Sequence, residues 1–226
     1  MTRAKVALCA SIMTATAVSV WSGQVPLSKE PRHKQLLYTA HLRLLDINIP
    51  VGDATLDHMH EYDVATVSVS DSTGRIREAG QDWGAPRVRE VGNLAITDYT
   101  GAKRAHRVEN IAKSPYHLIA VENVRDSGWT TPAPLTAPAT TLAQESRAFS
   151  IYDVRLNASA PRTTHTHEVP TVVVLISGAV TYQGAGGNDP FELREAGRWI
   201  FAPLGSNHTL SVSGTDEARI VEFEAR

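Results

Sequence analysis

The chain has 226 residues, 42% of them hydrophobic, and a formal net charge of −2. This length accommodates two small domains or one large one, and the near-neutral charge gives no basic surface for nucleic acid or an anionic membrane. The single cysteine, Cys9, excludes a disulfide framework and a thiolate metal site, so any metal must be held by His, Asp or Glu.

The N-terminus shows the order of features that is typical of an export signal. Residues 1–5 carry Arg3 and Lys5, residues 6–20 are apolar or small without charge, and small residues follow near residue 22. We predict a signal peptide over residues 1–22, in preference to a buried N-terminal element, and therefore a secreted or periplasmic mature protein. The apolar run is short for a membrane span, so no membrane association is expected after signal removal.

Short β-type runs fill the next part of the chain, and no stretch of the mature sequence keeps a helical period. These runs are separated by turn residues at intervals typical of all-β sandwiches and barrels. They cover residues 35–38, 42–49, 64–69, 94–97, 105–108 and 117–121. Residues 26–34, before the first run, are polar and predict a loose arm.

A segment of different composition divides the chain. Residues 126–147 are rich in Pro, Thr and Ala without alternation, which predicts a partly extended linker. The β series resumes at Phe149 and continues to Phe223. The predicted organisation is therefore an N-terminal barrel over 35–125, a linker over 126–147 and a C-terminal barrel over 148–226.

The two β series look like an internal repeat. Each contains His-x-His-Glu, preceded at the same interval by an aspartate, Asp46 in the first copy and Asp153 in the second. Alternate residues of a strand point to the same face, so the two histidines of each motif face the same way, and a further histidine follows later in each half. The predicted metal ligands are His165, His167 and His208 in the C-terminal half, and His58, His60 and His106 in the N-terminal half.

These residues resemble the cupin superfamily, specifically the two-domain, quercetin-dioxygenase-like bicupins. In the C-terminal half the second cupin motif is matched at every spacing as far as its histidine, and Val212 replaces the final Asn. The matching residues are Gly197, Pro203, Gly205 and His208. The first motif keeps both histidines and Gly178, but Ser159 replaces its opening Gly and Thr171 stands at its Glu position.

The N-terminal half resembles the same motifs less closely. Gly52 and both histidines fit the first motif, but Val64 or Ala65 stands at the Glu position, and Asp63 lies one residue early. The second motif is eroded, because Asp98 stands at its Pro position and its histidine comes three residues late. The resemblance covers about residues 35–226, apart from the linker.

The resemblance implies an all-β fold of two tandem cupin barrels, of the double-stranded β-helix or jelly-roll type. It also implies a divalent transition metal (Fe, Mn, Ni, Cu or Zn) at the histidine sites. With the Glu position lost in both halves, three neutral imidazoles leave the metal charge uncompensated, which favours anionic chelating ligands. We expect the C-terminal barrel to be the better metal site because its second motif is nearly complete.

The function that the sequence favours is an exported, non-haem metal-dependent dioxygenase acting on an anionic chelating small molecule. Two alternatives remain open, a metal-dependent isomerase or lyase of sugar-derived acids and a non-catalytic small-molecule binding protein. No catalytic residue is assigned, and a homo-oligomer is compatible with the sequence. Strand parity predicts that Glu61 and Glu168 point outwards. His33, His41 and His117 are expected to be structural or solvated.

Overall fold

The computed structural model describes residues 23–125, 130–185, 190–214 and 217–226. These residues form an all-β protein, in which the helical content of the described part is one 3₁₀ turn at Leu27–Lys29. No helix in the described ranges has the length and apolar character needed to cross a membrane. The predicted signal peptide, residues 1–22, lies outside the described residues.

The strands of the described chain fall into two series. The first series is β1 Val25–Pro26, β2 His33–Tyr38, β3 Leu42–Ile49, β4 His58–His60, β5 Val64–Ser68, β6 Ser72–Glu78, β7 Arg87–Arg89, β8 Leu94–Thr97, β9 Arg104–Asn110 and β10 Tyr116–Asn123. The second series is β11 Thr140–Glu145, β12 Phe149–Leu156, β13 Arg162–Thr166, β14 Thr171–Ser177, β15 Val180–Gly184, β16 Phe191–Leu193, β17 Trp199–Ala202, β18 Asn207–Val212 and β19 Ala218–Ala225.

Each series forms a unit of two facing sheets. The first unit has strand orders β1-β4-β9-β6-β7 and β2-β3-β10-β5-β8, and the second has β11-β12-β19-β14-β17 and β13-β18-β15-β16. Apolar side chains from both sheets pack between them, such as Ile47 with Val108 in the first unit and Val173 with Leu210 in the second. The predicted architecture of two tandem jelly-roll barrels is confirmed.

A third apolar core joins the two barrels. Its N-terminal members are Leu42, Leu44, Ala65, Val67, Ile119 and Val121, and its C-terminal members are Ala148, Phe149, Ile151, Val172, Val174, Ile176, Val221, Phe223 and Ala225. The central strands of this interface are therefore covered on both faces. This explains why their sequences read as nearly continuous apolar runs rather than as alternation.

Polar contacts reinforce the interface at its edges. The Asn123 amide donates to the carbonyl oxygens of Ala148 and Arg226, at 2.9 and 2.8 Å. Arg219 Nη2 donates to the Gly92 carbonyl oxygen at 3.1 Å. Gly92 has φ of +80°, and a Cβ there would lie 1.8 Å from an Arg219 nitrogen, so this approach requires glycine.

The strands of the N-terminal barrel begin before residue 35, and those of the C-terminal barrel begin before residue 148. β11 lies inside the predicted linker, and it pairs with β12 in an antiparallel ladder. Most of its side chains are exposed, so backbone pairing rather than apolar burial holds it, and its sequence shows no alternation. Residues 126–129 of the same linker lie outside the described part of the chain.

The prediction of a loose arm over residues 26–34 is wrong. β1 pairs with β4 in parallel, and Leu27 is buried in the core of the first barrel. His33 begins β2, which pairs with β3. The arm therefore belongs to the wall of the N-terminal barrel, next to its histidines.

Candidate metal centres and the N-terminal cavity

Three histidines meet inside the N-terminal barrel as the sequence predicts. His58 and His60 alternate along β4, and His106 on β9 lies directly opposite His58 in the ladder. All three are buried, and one nitrogen of each lies within 4.8 Å of the others. Tyr99 stacks on His60, with ring centroids 4.4 Å apart, and holds the ring from one side.

The protonation state of this cluster fits a metal ion. His58 Nδ1 lies 2.9 Å from the Leu56 carbonyl oxygen, which only accepts, so Nδ1 carries the proton and Nε2 keeps its lone pair. That buried Nε2 has no hydrogen-bond partner. Burial lowers the pKa of His58 to about 4 and of His106 to about 3, and it holds the pKa of His60 well below its usual value. Neutral imidazoles with free lone pairs are what metal binding requires.

The C-terminal barrel repeats the arrangement and adds a carboxylate. His165 and His167 lie on β13, His208 on β18 stands opposite His165, and Glu222 enters from β19. The four side chains are buried and offer ligand atoms within 4.8 Å of one another. Glu222 lies 3.0 Å from His165 Nε2, 3.1 Å from His208 Nε2 and 3.8 Å from His167 Nε2.

The expectation of an all-histidine site in the C-terminal barrel is therefore wrong. The sequence argument looked for a carboxylate at Thr171, but the Thr171 hydroxyl donates to the Val169 carbonyl oxygen at 3.0 Å. The carboxylates come instead from β19, which pairs with β14 and faces the same interior. Glu222 lies among the histidines, and Glu224 accepts a hydrogen bond from His167 Nδ1 at 2.9 Å. Such a contact fixes the orientation of a ligating ring.

The carboxylates also change the proton balance of the C-terminal cluster. Burial opposes it, but the nearby Glu222 carboxylate and the hydrogen-bonded Glu224 carboxylate raise the pKa of His167 to about 9. Burial raises the pKa of Glu222, yet its hydrogen bonds from His165 and His208 and the nearby His167 ring hold that pKa well below its usual value. Without metal, the His167 cation lies beside two buried carboxylates, Glu222 and Glu224.

The ladders show what occupies the place of Glu222 in the N-terminal barrel. Glu222 lies between Tyr152 of β12 and Val173 of β14, and the residue in the same place of the first barrel is Ala120. By the same count, Glu122 corresponds to Glu224. Glu122 lies 3.9 Å from His60 Nδ1 and is engaged by Arg43 at 2.5 Å. Among the described residues, no carboxylate joins the three N-terminal histidines as Glu222 joins those of the other barrel.

A cavity of about 310 Å³ lies beside the N-terminal cluster. His60 and His106 form part of its wall, and apolar side chains of both sheets form much of the remainder. The apolar residues of this wall are Ile47, Ile49, Val64, Ile76, Ala95, Val108 and Leu118. The volume is at the small end of the range for ligand pockets, so a compact molecule fits it.

Three arginines line the same cavity. Arg87 and Arg89 alternate along β7 and so share a face, while Arg104 lies on β9 two residues before His106. Among the described residues, no carboxylate comes within ion-pair distance of any of the three, although Glu78 also lines the cavity. Guanidinium groups at a cavity that have no carboxylate partner attract a carboxylate or a similar planar anion.

In the described part of the chain, the C-terminal cluster is covered by an aromatic ring. Tyr182 stacks on His208, with ring centroids 4.9 Å apart. The residue at the corresponding position in the strand pairing of the first barrel is Ile76. A cavity of about 500 Å³ near this barrel is lined by Tyr182, Trp199, Phe201 and neighbours, and by none of the four cluster residues. The turn expected before His208 is present: Gly205 has φ of +76° and donates its N–H to the His167 carbonyl oxygen.

The remaining predicted residues have structural surroundings. Asp63 accepts hydrogen bonds from the backbone of Tyr99 and Thr100 and from the Thr100 hydroxyl, so it organises a loop rather than the cluster. Glu61 and Glu168 are exposed, as strand parity predicts. His117 is paired with Asp46 outside the cavity, at 2.7 Å.

His33 is the residue that sequence reasoning missed. Its ring lies 4.6 Å from that of His58, centroid to centroid, and it lines the N-terminal cavity. His33 belongs to no motif. The sequence feature that could have indicated it is Glu30, three residues earlier, whose buried carboxylate contacts the His33 ring.

Comparisons with known proteins identify the fold. No family model matches the chain, and no curated protein matches it. Among solved structures, a cupin 2 conserved barrel domain protein from Leptotrichia buccalis has a TM-score of 0.54 at 11% identity, covering 86% of this chain and 88% of that one. The chain has the cupin fold. Salicylate 1,2-dioxygenase from Pseudaminobacter salicylatoxidans has a TM-score of 0.61 at 13% identity, covering 82% of this chain and 71% of that one.

A third similar structure is the oxalate decarboxylase of Lactobacillus farciminis in complex with formate. Its TM-score is 0.58 at 12% identity, and the alignment covers 83% of this chain and 78% of that one. At such identities the likeness concerns the cupin fold, and it extends over both barrels. The chemistry of this cupin-fold chain must be argued from its own residues.

Proposed function

We propose that the protein is an exported, metal-dependent dioxygenase that acts on a small anionic chelating molecule, and that its N-terminal barrel is the active site. The observation that carries this proposal is the cavity that joins His60 and His106 to three arginines without carboxylate partners. The predicted C-terminal ligands lie instead against Glu222 and Tyr182.

His58, His60 and His106 would hold the metal in the N-terminal barrel. When bound, a divalent transition metal supplies a Lewis acid with open positions for an anionic ligand and for oxygen. Because Ala120 stands where the other barrel has Glu222, no ligand carboxylate cancels part of the metal charge. An anion in the cavity is therefore held more strongly than it would be beside a site with a carboxylate.

The protein's own residues bind and orient the substrate. Arg87, Arg89 and Arg104 attract its anionic group, and the apolar wall of the cavity packs on its body and excludes water. Arg87 and Arg104 are exposed and Arg89 is half-buried, so they present their charge at the rim of the cavity. Two of the similar structures, the oxalate decarboxylase and the salicylate dioxygenase, are named for small carboxylates, which agrees with an anionic substrate.

Oxygen uptake tests the proposal directly. The full chain, loaded with ferrous iron, is given a set of β-diketones, 2-oxo acids and hydroxy carboxylates in an oxygen electrode, with neutral esters of the acids as controls. Oxygen consumption with the anionic members alone supports the proposal. Product formation without oxygen points to the isomerase or lyase alternative, and tight binding without turnover points to a binding protein.

Export rests on the composition of residues 1–22. We propose that mature protein isolated from its native host begins between about residues 18 and 26. N-terminal sequencing decides this, and intact Met1 in a cytoplasmic fraction would overturn it.

A further inference from the structure

The arginines of the N-terminal cavity stand at two separate places of one sheet. Arg104 is on β9, whereas Arg87 and Arg89 are on β7, and β6 separates these two strands. Arg87 lies opposite Gly74, which lies opposite Asn110 at the far end of β9 from Arg104. The backbones of the two places are therefore about 20 Å apart along the strands and about 10 Å apart across them. Over such a distance the three guanidinium groups serve two different anionic groups rather than one.

The first place lies beside the histidine cluster. Arg104 is directly opposite His60 in the β4–β9 ladder and two residues before His106, so it belongs to the face that carries both rings. By the same count, Ser206 of the second barrel lies opposite His167, and its carbonyl oxygen accepts the His167 N–H at 3.0 Å. At this position the first barrel has a cation and the second has a neutral hydroxyl.

The second place contains a buried tyrosine. The Arg89 guanidinium carbon lies 5.9 Å from the centre of the Tyr116 ring, and Tyr116 also lines the cavity. Gly74 makes room for this ring, since a Cβ there would lie 2.9 Å from it. Burial raises the pKa of Tyr116, and the charges of Arg89 and Arg87 oppose this rise. This end of the cavity thus combines two cations with a hydroxyl group that can donate a hydrogen bond.

The wall between the two places is apolar. Ile76 and Val108 lie opposite each other in the β6–β9 ladder, between the level of His106 and that of Asn110. Both side chains line the cavity. A ligand that reaches from one cationic place to the other therefore packs a hydrocarbon segment on this part of the wall.

Tyr99 shows that the two places belong to one continuous cavity. Its ring stacks on His60, with centroids 4.4 Å apart. Burial and the charge of Glu78 raise the pKa of Tyr99, whereas the charges of Arg104 and Arg89 lower it. An arginine from each place thus acts on the same hydroxyl group, and all of these residues line the cavity.

We propose that the N-terminal cavity binds a molecule with two anionic groups joined by a short hydrocarbon chain, such as succinate or glutarate. One group lies beside Arg104 and the histidines, the chain packs on Ile76 and Val108, and Arg87 and Arg89 hold the other group. Separate guanidinium groups favour one carboxylate each. The inference names the substrate class of the proposed function and rests on its assignment of the cavity as the substrate site.

Paired probes test this without turnover. The full chain is loaded with zinc, which does no redox chemistry, and is titrated calorimetrically with succinate, glutarate and their half-amides, which keep the length and lose one charge. Wild type should bind at least one dicarboxylate about tenfold more tightly than its half-amide, because a second charge-assisted contact forms. Added salt should reduce this preference.

Two variants assign the groups to the two places. Arg87→Gln/Arg89→Gln should lower the preference to about twofold and change half-amide affinity less than about twofold, because the remaining carboxylate lies beside Arg104. Arg104→Gln should weaken dicarboxylate and half-amide alike and keep the preference. The matched control is Arg162→Gln/Arg194→Gln, which removes two exposed charges from the second barrel and should leave every affinity unchanged.

The wild-type titrations decide the question even if a variant fails to fold, and thermal unfolding and metal analysis check each variant. Equal affinity of wild type for dicarboxylates and half-amides overturns the inference. A preference that persists in folded Arg87→Gln/Arg89→Gln, or that the control variant also loses, overturns it too. A dicarboxylate preference without oxygen uptake by the iron form would support the inference and overturn only the dioxygenase assignment.

Discussion

The two barrels carry the same three-histidine frame and differ in what surrounds it. In the C-terminal barrel Glu222 lies among the histidines and Tyr182 covers His208. In the N-terminal barrel the corresponding places hold Ala120 and Ile76, and a cavity lies beside the cluster. Two differences at interior positions thus separate a filled site that contains a carboxylate from an open site with arginines at its cavity.

Under the proposed function, this difference assigns the stronger metal binding to the C-terminal barrel and the chemistry to the N-terminal barrel. A fourth ligand and a compensating charge favour metal retention in the C-terminal site, whereas uncompensated charge and access favour ligand binding in the N-terminal site. The C-terminal barrel also has the nearly complete second cupin motif, from which the sequence analysis predicts it to be the better metal site. The predictions below separate metal content from turnover.

The largest effect is expected on turnover when one ligand histidine is removed from each barrel. His106→Ala should lower iron-dependent oxygen consumption by more than about 100-fold, because it removes a ligand next to the substrate. His208→Ala should leave it within about threefold. Metal content should respond in the opposite order, with the greater loss from His208→Ala. Equal loss of turnover from both changes would show that the barrels are not specialised.

The second prediction concerns the position at which the two barrels differ, Glu222 in one and Ala120 in the other. Glu222→Ala should weaken zinc binding at the C-terminal site on the order of 100-fold, because it removes a charged ligand. Ala120→Glu should strengthen zinc binding at the N-terminal site, because it adds a carboxylate on β10, a strand that borders the cavity. The same change should weaken the binding of anionic probes. Competition with a chromophoric chelator measures the first effect and calorimetry the second. If the Ala120→Glu variant binds zinc no better than wild type, the side chain at position 120 does not face the three histidines.

Metal binding by the two sites should differ in its pH dependence. His167 has its pKa raised to about 9, so a metal must displace its proton, and C-terminal affinity should rise about tenfold per pH unit between roughly pH 6.5 and 8.5. The N-terminal site should show little change over that range, because its histidines are neutral well above a pKa of about 4. Zinc titrations of His106→Ala and His208→Ala, each retaining one intact site, measure the two slopes.

The same shift predicts the pH dependence of stability without metal. Because the folded-state pKa of His167 is raised, its contribution is complete below its usual pKa and is lost as the pH rises through about 9. Thermal unfolding of chelator-treated protein should therefore show falling stability from neutral to alkaline pH. Glu222→Ala should flatten that dependence, and an unchanged slope would contradict this account of the cluster.

The smallest expected effect concerns the arginines. Arg104→Gln should weaken binding of a carboxylate probe about fivefold, and added salt should reduce the difference from wild type. Arg162→Gln, at an exposed position of β13 in the other barrel, is the matched control and should have no effect. Unchanged binding in Arg104→Gln would mean that the anion does not use this side of the cavity.

Local periodicity predicted the β-strands, and the repeated histidine motifs, with their resemblance to cupins, predicted the two barrels and the six histidines. Alternation and turn residues located β3, β5, β8 and β10, and the repeated His-x-His-Glu located the first two histidines of each cluster. Periodicity failed at β6 and β7. Arg87 and Arg89 of β7 face the cavity rather than a packed core, and Gly74 of β6 leaves room for the Tyr116 ring, so none of the three is apolar in the expected pattern.

The carboxylates and His33 could not be predicted because they come from outside the motifs. Glu222 reaches the cluster only through the pairing of β14 with β19, which brings distant parts of the sequence together. The motif position at Thr171 directed attention to the wrong strand. His33 depends on the pairing of β2 with β3 and on the burial of Glu30, and a glutamate three residues before a histidine does not by itself reveal either.

The apolar core shared by the barrels has a consequence for how the molecule unfolds. Phe149, Ile151 and Phe223 of one unit are completely buried, and they pack in a core with Leu44 and Val121 of the other. Separating the units would expose this surface at a cost of about 25 cal/mol per Å². Thermal denaturation should therefore occur as one cooperative transition of the pair. A truncated half would lose its own covering layer, so an open pocket in one barrel is maintained partly by the tightly filled barrel beside it.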